Sequence, residues 1–249
     1  ENGIPMPSRL ADQREMSALT GALGEAGRGI FMLTKGMTST VPWLESIAAA
    51  SGRPVMIAAM FVDPGDPTRV FRELGEIEAA RRRGRELWAQ VGCFPLGMEF
   101  TLRHPYPLEA FLAWRPAIVA ESEARYRAVL ADPSFRAGLK EEIARPGVPN
   151  RFSDKNWDHL TIAQVTRPEH RPLEGQNIGA LARERGQHPW DTFLDFGLDG
   201  ELDAMLDCRL FNIDEDEVRR LLRHPNAAVA LSDAGAHLSF LCDAGFGLH

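Results

Sequence analysis

The segment Ala230–Phe246, ALSDAGAHLSFLCDAGF, sets an aspartate, a histidine, a cysteine and a second aspartate directly after an apolar run. A buried strand that ends in a carboxylate is how a parallel α/β sheet delivers a catalytic group to its carboxyl edge. Asp233 is therefore the principal candidate for catalysis. Ala234, Gly235 and Ala236 leave the backbone free to approach a substrate, and His237 can donate a hydrogen bond to it or ligate a metal. Cys242 and Asp243 would then form a supporting layer. Cys242 has no His-Asn or His-Asp pair nearby to activate it as a nucleophile, so a supporting core role fits it better. The residues alone leave a second reading open, in which Asp233 caps a helix and His237 is a packing residue. At the other end of the chain, Arg9 in the PSR segment is a candidate for pairing with a substrate carboxylate through two parallel hydrogen bonds, with a surface ion pair as its alternative.

Such residues need strands to carry them, and the chain supplies a rhythm of helices and strands. Apolar residues at helical spacing (Met16, Leu19, Leu23) predict a helix over 11–25, followed by the strand GRGIFMLT. The next round has Ser39 or Thr40 as helix cap, Pro42 in the first turn and Gly52 as the stop, before the strand RPVMIAAMFV. A third helix opens at Asp66-Pro67 and closes at Gly84, and leads to ELWAQVGCF. Its RRRGR end reads as a solvated helix terminus, where cations complement the dipole, rather than as an anion site. Continuous apolar strands between helices predict parallel strands buried on both faces.

After Phe94 the rhythm breaks. Residues 95–224 form an excursion rich in Pro, Trp and charge, with helical patches at ESEARYRAVLADPSFRAGLKEEIA, NIGALARERG, PWDTFLDFGLDGELDAML and DEDEVRRLLRH, and a β-pair at WDHLTIAQV. NAAVALSD then restores a strand. The expected fold is α/β, a partial TIM-type (β/α) barrel of parallel strands. Residues 1–94 hold its βα repeats, 95–224 a lid-like excursion of the same domain, and 225–249 its last strand. The five tryptophans read mainly as core, with Trp114 and Trp157, in the polar excursion, as the two that merit attention as substrate platforms.

Composition narrows the function. The chain has 249 residues, 44% of them hydrophobic, and a formal charge of -7. That is a globular composition without the basic field that phosphate backbones require, so nucleic acid is not an expected partner. No apolar run reaches the length of a membrane span. Three cysteines, widely spread, argue against a disulfide framework and for a reducing, cytoplasmic setting. The chain starts without methionine and stops at DAGFGLH, which reads as a piece of a longer protein or a trimmed product.

The stretch SDAGAHLSFLCDAGF resembles the SDGGAH region of the amidohydrolase superfamily, in the branch of the N-acyl-D-amino-acid deacylases. PMPSRLAD ending at Asp12, GRGIFML at Gly27–Leu33, SGRPVMIAAM at Ser51–Met60 and the strand through Gln90 resemble the same branch in the same order. The resemblance implies a metal-dependent barrel hydrolase of non-peptide C–N bonds. Asp233 would act as general base on a metal-bound water and touch the metal, which would be zinc. The substrate would be a small acylated amine or amino acid, with Arg9 and His237 binding it.

The chain departs from this pattern in two ways. It contains no H-x-H pair, and the strands GIFMLT and PVMIAAMF lack the histidines that deacylases place there. His104, His159, His170, His188 and His224 lie in the excursion or near helix ends and read as loop or surface residues. Two accounts follow, a fragment holding the later strands of the barrel and a divergent branch with a reduced metal site. A non-catalytic scaffold is the rival function, and hydrolysis of a cyclic amide or an ester on the same fold is a further one. An incomplete barrel exposes strand edges, so a homo-oligomer is expected.

Overall fold

The computed structural model describes residues 11–36, 38–145 and 152–230. In chain order, the first part comprises α1 (Gln13–Ala26), β1 (Phe31–Thr34), α2 (Val41–Ser51), β2 (Val55–Met60), α3 (Arg69–Arg82) and β3 (Leu87–Val91). The middle part comprises β4 (Leu96–Phe100), α4 (Arg115–Ile118), α5 (Glu123–Ala131), α6 (Pro133–Ile143), β5 (Leu160–Gln164), α7 (Ile178–Arg185), α8 (Pro189–Phe196) and β6 (Met205–Phe211). The last part adds α9 (Glu215–Leu222) and β7 (Ala227–Val229). The chain forms two compact units, one of residues 11–96 with 211–230 and one of residues 97–210. Among the described residues no helix is long and apolar enough to cross a membrane.

The first unit is a four-stranded sheet in the order β1-β2-β3-β7, parallel throughout. Local signals set its helices. Asp12 accepts the amides of Arg14 and Glu15 at 2.9 Å and starts α1. Thr40 starts α2, with Pro42 in the first turn, and Gly52 ends it in the left-handed conformation at φ 63°. Both are the cap chemistry that relieves unpaired amides and carbonyls at helix ends. On α3, Val70, Leu74 and Ile77 recur at helical spacing and are buried. They pack with Leu44 and Ile47 of α2 and Leu221 of α9 against Val55, Ile57, Leu87, Ala89 and Val91 of the sheet. Each such side chain contributes about 1.5–3 kcal/mol by leaving water.

Alternation along β3 therefore sends Leu87, Ala89 and Val91 toward the helices and Trp88 and Gln90 to the opposite face. The α/β class with parallel strands agrees with the sequence reading.

The second unit has a three-stranded sheet in the order β4-β6-β5, with β5 and β6 antiparallel. Its core is aromatic. Trp190 packs edge-on against Trp157 at 4.8 Å and Phe111 at 5.6 Å, with Trp114 at 6.0 Å. Trp114 and Trp157 are both buried, which makes them core rather than platforms. The helical patch PWDTFLDFGLDGELDAML turns out to be divided. α8 ends at Phe196, a π-turn covers Gly197–Glu201 with Gly200 at φ 92°, and β6 begins at Met205. The chain rejoins the first unit at Phe211, before the 225 boundary read from sequence, because α9 is amphipathic and buries Leu221 in the first unit's core.

Candidate functional site

The carboxyl edge of the parallel sheet departs from regularity at one level. Along β2, Val55 and Ile57 face the helix-side core, but so do Met60 and Val62, which have the other parity. A register shift between Ile57 and Met60 accounts for this: Ile57 pairs with Ala89 and Met60 with Val91, so Ala58 and Ala59 together oppose Gln90. This is a β-bulge, a feature that concentrates beside active sites and re-aims side chains. Ala59 carries the kink at φ 60°, a left-handed conformation that costs a residue with a Cβ about 1–3 kcal/mol.

Gln90 lies against that bulge with Ala228 of β7 on its other side. It is buried, at 9% exposure. Its Nε2 donates to Ala230 O at 3.2 Å, which fixes the carboxamide orientation, since a flip would set two oxygens against each other. Its Oε1 is buried and has no hydrogen-bond partner among the described residues. Buried acceptors without partners are rare enough to need a reason.

Asn212 braces the same edge from the chain after β6. Buried at φ 56°, it accepts the amide of Val62 at 2.8 Å and donates through Nδ2 to Gly92 O at 3.0 Å and Phe94 O at 3.2 Å. Its own amide donates to Val62 O at 3.0 Å. Asparagine tolerates this backbone region better than most residues, and its carboxamide offers both a donor and an acceptor. The charged groups at the edge are already engaged. Asp63 accepts the Gly65 amide at 2.8 Å and lies 3.4 Å from Arg69, and Lys35 lies 2.8 Å from Glu73. Cys93 is half-buried and free.

The residues singled out in the sequence, Arg9, Asp233, His237, Cys242 and Asp243, lie outside the described residues. What the structure places is the strand that leads to Asp233. β7 pairs with β3 through Ala89–Ala227, Gln90–Ala228 and Val91–Val229, and Ala230 touches Gln90. The donor set described here does not fit zinc: β1 runs out into Thr34-Lys35 and β2 into Phe61-Val62-Asp63, and among the described residues no three His, Cys, Asp or Glu side chains converge.

A second polar cluster, in the other unit, escaped the sequence reading. Glu201 has a fully buried side chain. Its carboxylate accepts from Thr166 N and Oγ1, both at 2.8 Å, and from Arg167 N at 2.9 Å, and it faces His170 Nδ1 at 2.9 Å. Burial pushes its pKa up, but the bonds from Thr166, His170 and Arg167 outweigh that and hold it below the ordinary glutamate value. His170 Nε2 faces Asp199 at 3.0 Å, so His170 is a network residue rather than a surface one. A cleft of about 260 Å³ adjoins it, lined by Leu173, Arg185, Asp195 and Phe196. Glu201 already bonds to the local backbone and to His170, and His170 to Asp199, which is the pattern of a structural brace. Among the described residues the other four histidines make no hydrogen bond to it; His188 Nδ1, for instance, caps α8 by accepting the Trp190 amide.

No family model matches the chain. A stretch of 141 residues, 56% of the chain, is 30% identical to an uncharacterised protein of Mycobacterium tuberculosis and equally to one of Mycobacterium bovis. The chain spans 23% of the length of these curated relatives. Among solved structures, N-acyl-D-glutamate deacylase of Bordetella bronchiseptica, in complex with zinc and a phosphonate mimic of the tetrahedral intermediate, is 16% identical. The likeness covers 90% of this chain and 36% of that one, at a TM-score of 0.44. D-aminoacylase is also 16% identical, over 92% and 37%, at 0.42. At these values the site rests on this chain's own residues.

Proposed function

We propose that this chain is part of a (β/α)-barrel amidohydrolase that hydrolyses a non-peptide C–N bond in a small acylated amine, of the N-acyl-D-amino-acid type. The observation that carries the reading is the register of β7. It brings the chain to the carboxyl edge of the parallel sheet, beside the bulge and Gln90, directly before the SDAGAH segment. In parallel α/β sheets that edge is where substrates bind. Asp233 takes the proton of the attacking water as the water oxygen bonds to the acyl carbon, and returns it to the nitrogen as the C–N bond breaks. Zinc is the metal that the resemblance implies. Its ligands have to come from outside the described residues.

The test is release of free amine from N-acetyl-D-amino acids by the purified chain and its Asp233→Asn variant, with elemental analysis of both. Hydrolysis that falls at least a hundredfold in the variant supports the reading. No hydrolysis and no bound metal in either supports the second reading, a non-catalytic binding protein. That second reading is favoured by one observation, that Asp63, the carboxylate just beyond β2, is already engaged by Gly65 and Arg69.

A further inference from the structure

Gln90 pairs laterally with small residues only, Ala58 and Ala59 on β2 and Ala228 on β7. It is the polar side chain in this row, and one end of it is anchored on Ala230 O while the other is idle. An unpaired buried carbonyl costs about as much as a hydrogen bond contributes, and Leu or Met at this position would avoid that cost. The backbone beside it is strained at Ala59. Strain and an unmet acceptor at one level of one sheet edge are features that folding alone does not favour.

We propose that Gln90 Oε1 is a substrate-recognition acceptor that takes the N–H of a secondary amide. This inference rests on the acylated-amine reading above and deepens it. Oε1 can only accept, and the anchored Nε2 keeps the carboxamide from turning to donate instead. An ester oxygen in place of the amide N–H would meet Oε1 lone pair to lone pair. The residue thus selects amides over esters of the same shape.

The experiment is calorimetric titration of the full chain with N-acetyl-D-alanine and with O-acetyl-D-lactate, which differ only in N–H against O. Wild type is expected to bind the amide at least tenfold more tightly, the worth of one hydrogen bond plus the relief of one buried acceptor. Gln90→Leu is expected to bind both alike, with a melting temperature that does not fall below that of wild type. Gln90→Glu, whose protonated carboxyl can donate to Ala230 O and still accept, is expected to restore the preference, which a merely structural role would not do. Equal affinities in wild type, or a preference that survives Gln90→Leu, overturns the proposal and leaves Oε1 to a site water. Release of amine with no amide preference overturns the inference but not the acylated-amine reading. If wild type neither binds nor hydrolyses either compound, both fail.

Discussion

Glu201 and Gln90 are both buried polar side chains, and they are opposites. The Glu201 carboxylate meets three donors from Thr166 and Arg167 and a ring nitrogen of His170. Among the described residues the Gln90 side chain has one hydrogen bond and an idle oxygen. A group whose every lone pair is used holds the fold and has nothing left for a ligand. A group left wanting weakens the fold and keeps a hydrogen-bonding atom unused, as the Nε1 atoms of Trp157 and Trp190 in the aromatic core also do. On that difference Gln90 is the proposed recognition residue and Glu201 the brace, while charge, histidine and a cleft all favour the Glu201 region.

The comparison breaks first at Glu201. Glu201→Ala strands the amides of Thr166 and Arg167 together with His170, and is expected to cost about 3–5 kcal/mol, read by denaturant unfolding. The same carboxylate supplies a pH signature. Its folded-state pKa lies below the unfolded value. Its contribution is therefore full above the unfolded glutamate pKa, near ~4.3, and is lost as pH falls through the lower folded value. Glu201→Gln is expected to flatten that acid limb of the stability profile. An unchanged limb would mean the carboxylate is not the brace described.

Next in size is Asn212→Ala, which removes the bonds to the Val62 amide and to the Gly92 and Phe94 carbonyls and is expected to cost roughly 2–3 kcal/mol. Hydrogen exchange should locate the loss at the amides near 60–62 and 91–94. The smallest effect has the opposite sign. Ala59→Gly removes the Cβ penalty at φ 60° and is expected to stabilise by about 1 kcal/mol. A loss of stability there would show that the methyl group packs usefully and that the strain argument is wrong.

The part of this picture that could be read from sequence is the part that acts over a few residues. Thr40, Pro42 and Gly52 mark α2 because a cap reaches three or four positions along the chain. The apolar runs around β2 and β3 mark parallel strands because both faces are covered. β6 was hidden inside a helical pattern. The run DAML reads as helix until Gly200 turns the backbone, and only then does alternate burial of Leu206, Cys208 and Leu210 emerge. The bulge was invisible because two alanines carry no signal of parity. Glu201 and His170 are 31 residues apart, and nothing local links them. Asp233, which lies outside the described residues, was legible as a candidate, through a strand followed by a carboxylate. Gln90 was not, since a glutamine in an apolar strand announces nothing until its partners are counted.

Asn212 has a consequence for time as well as for structure. Its contacts to Val62, Gly92 and Phe94 span 150, 120 and 118 residues of chain. Closures of that length cost more entropy than the pairing of neighbouring strands and are made after it. The carboxyl edge of β2 and β3 is thus completed after its own strands have paired. A nascent chain that has not yet reached residue 212 lacks the asparagine that ties Val62 to Gly92 and Phe94, and β7, the fourth strand of the sheet, arrives only after it.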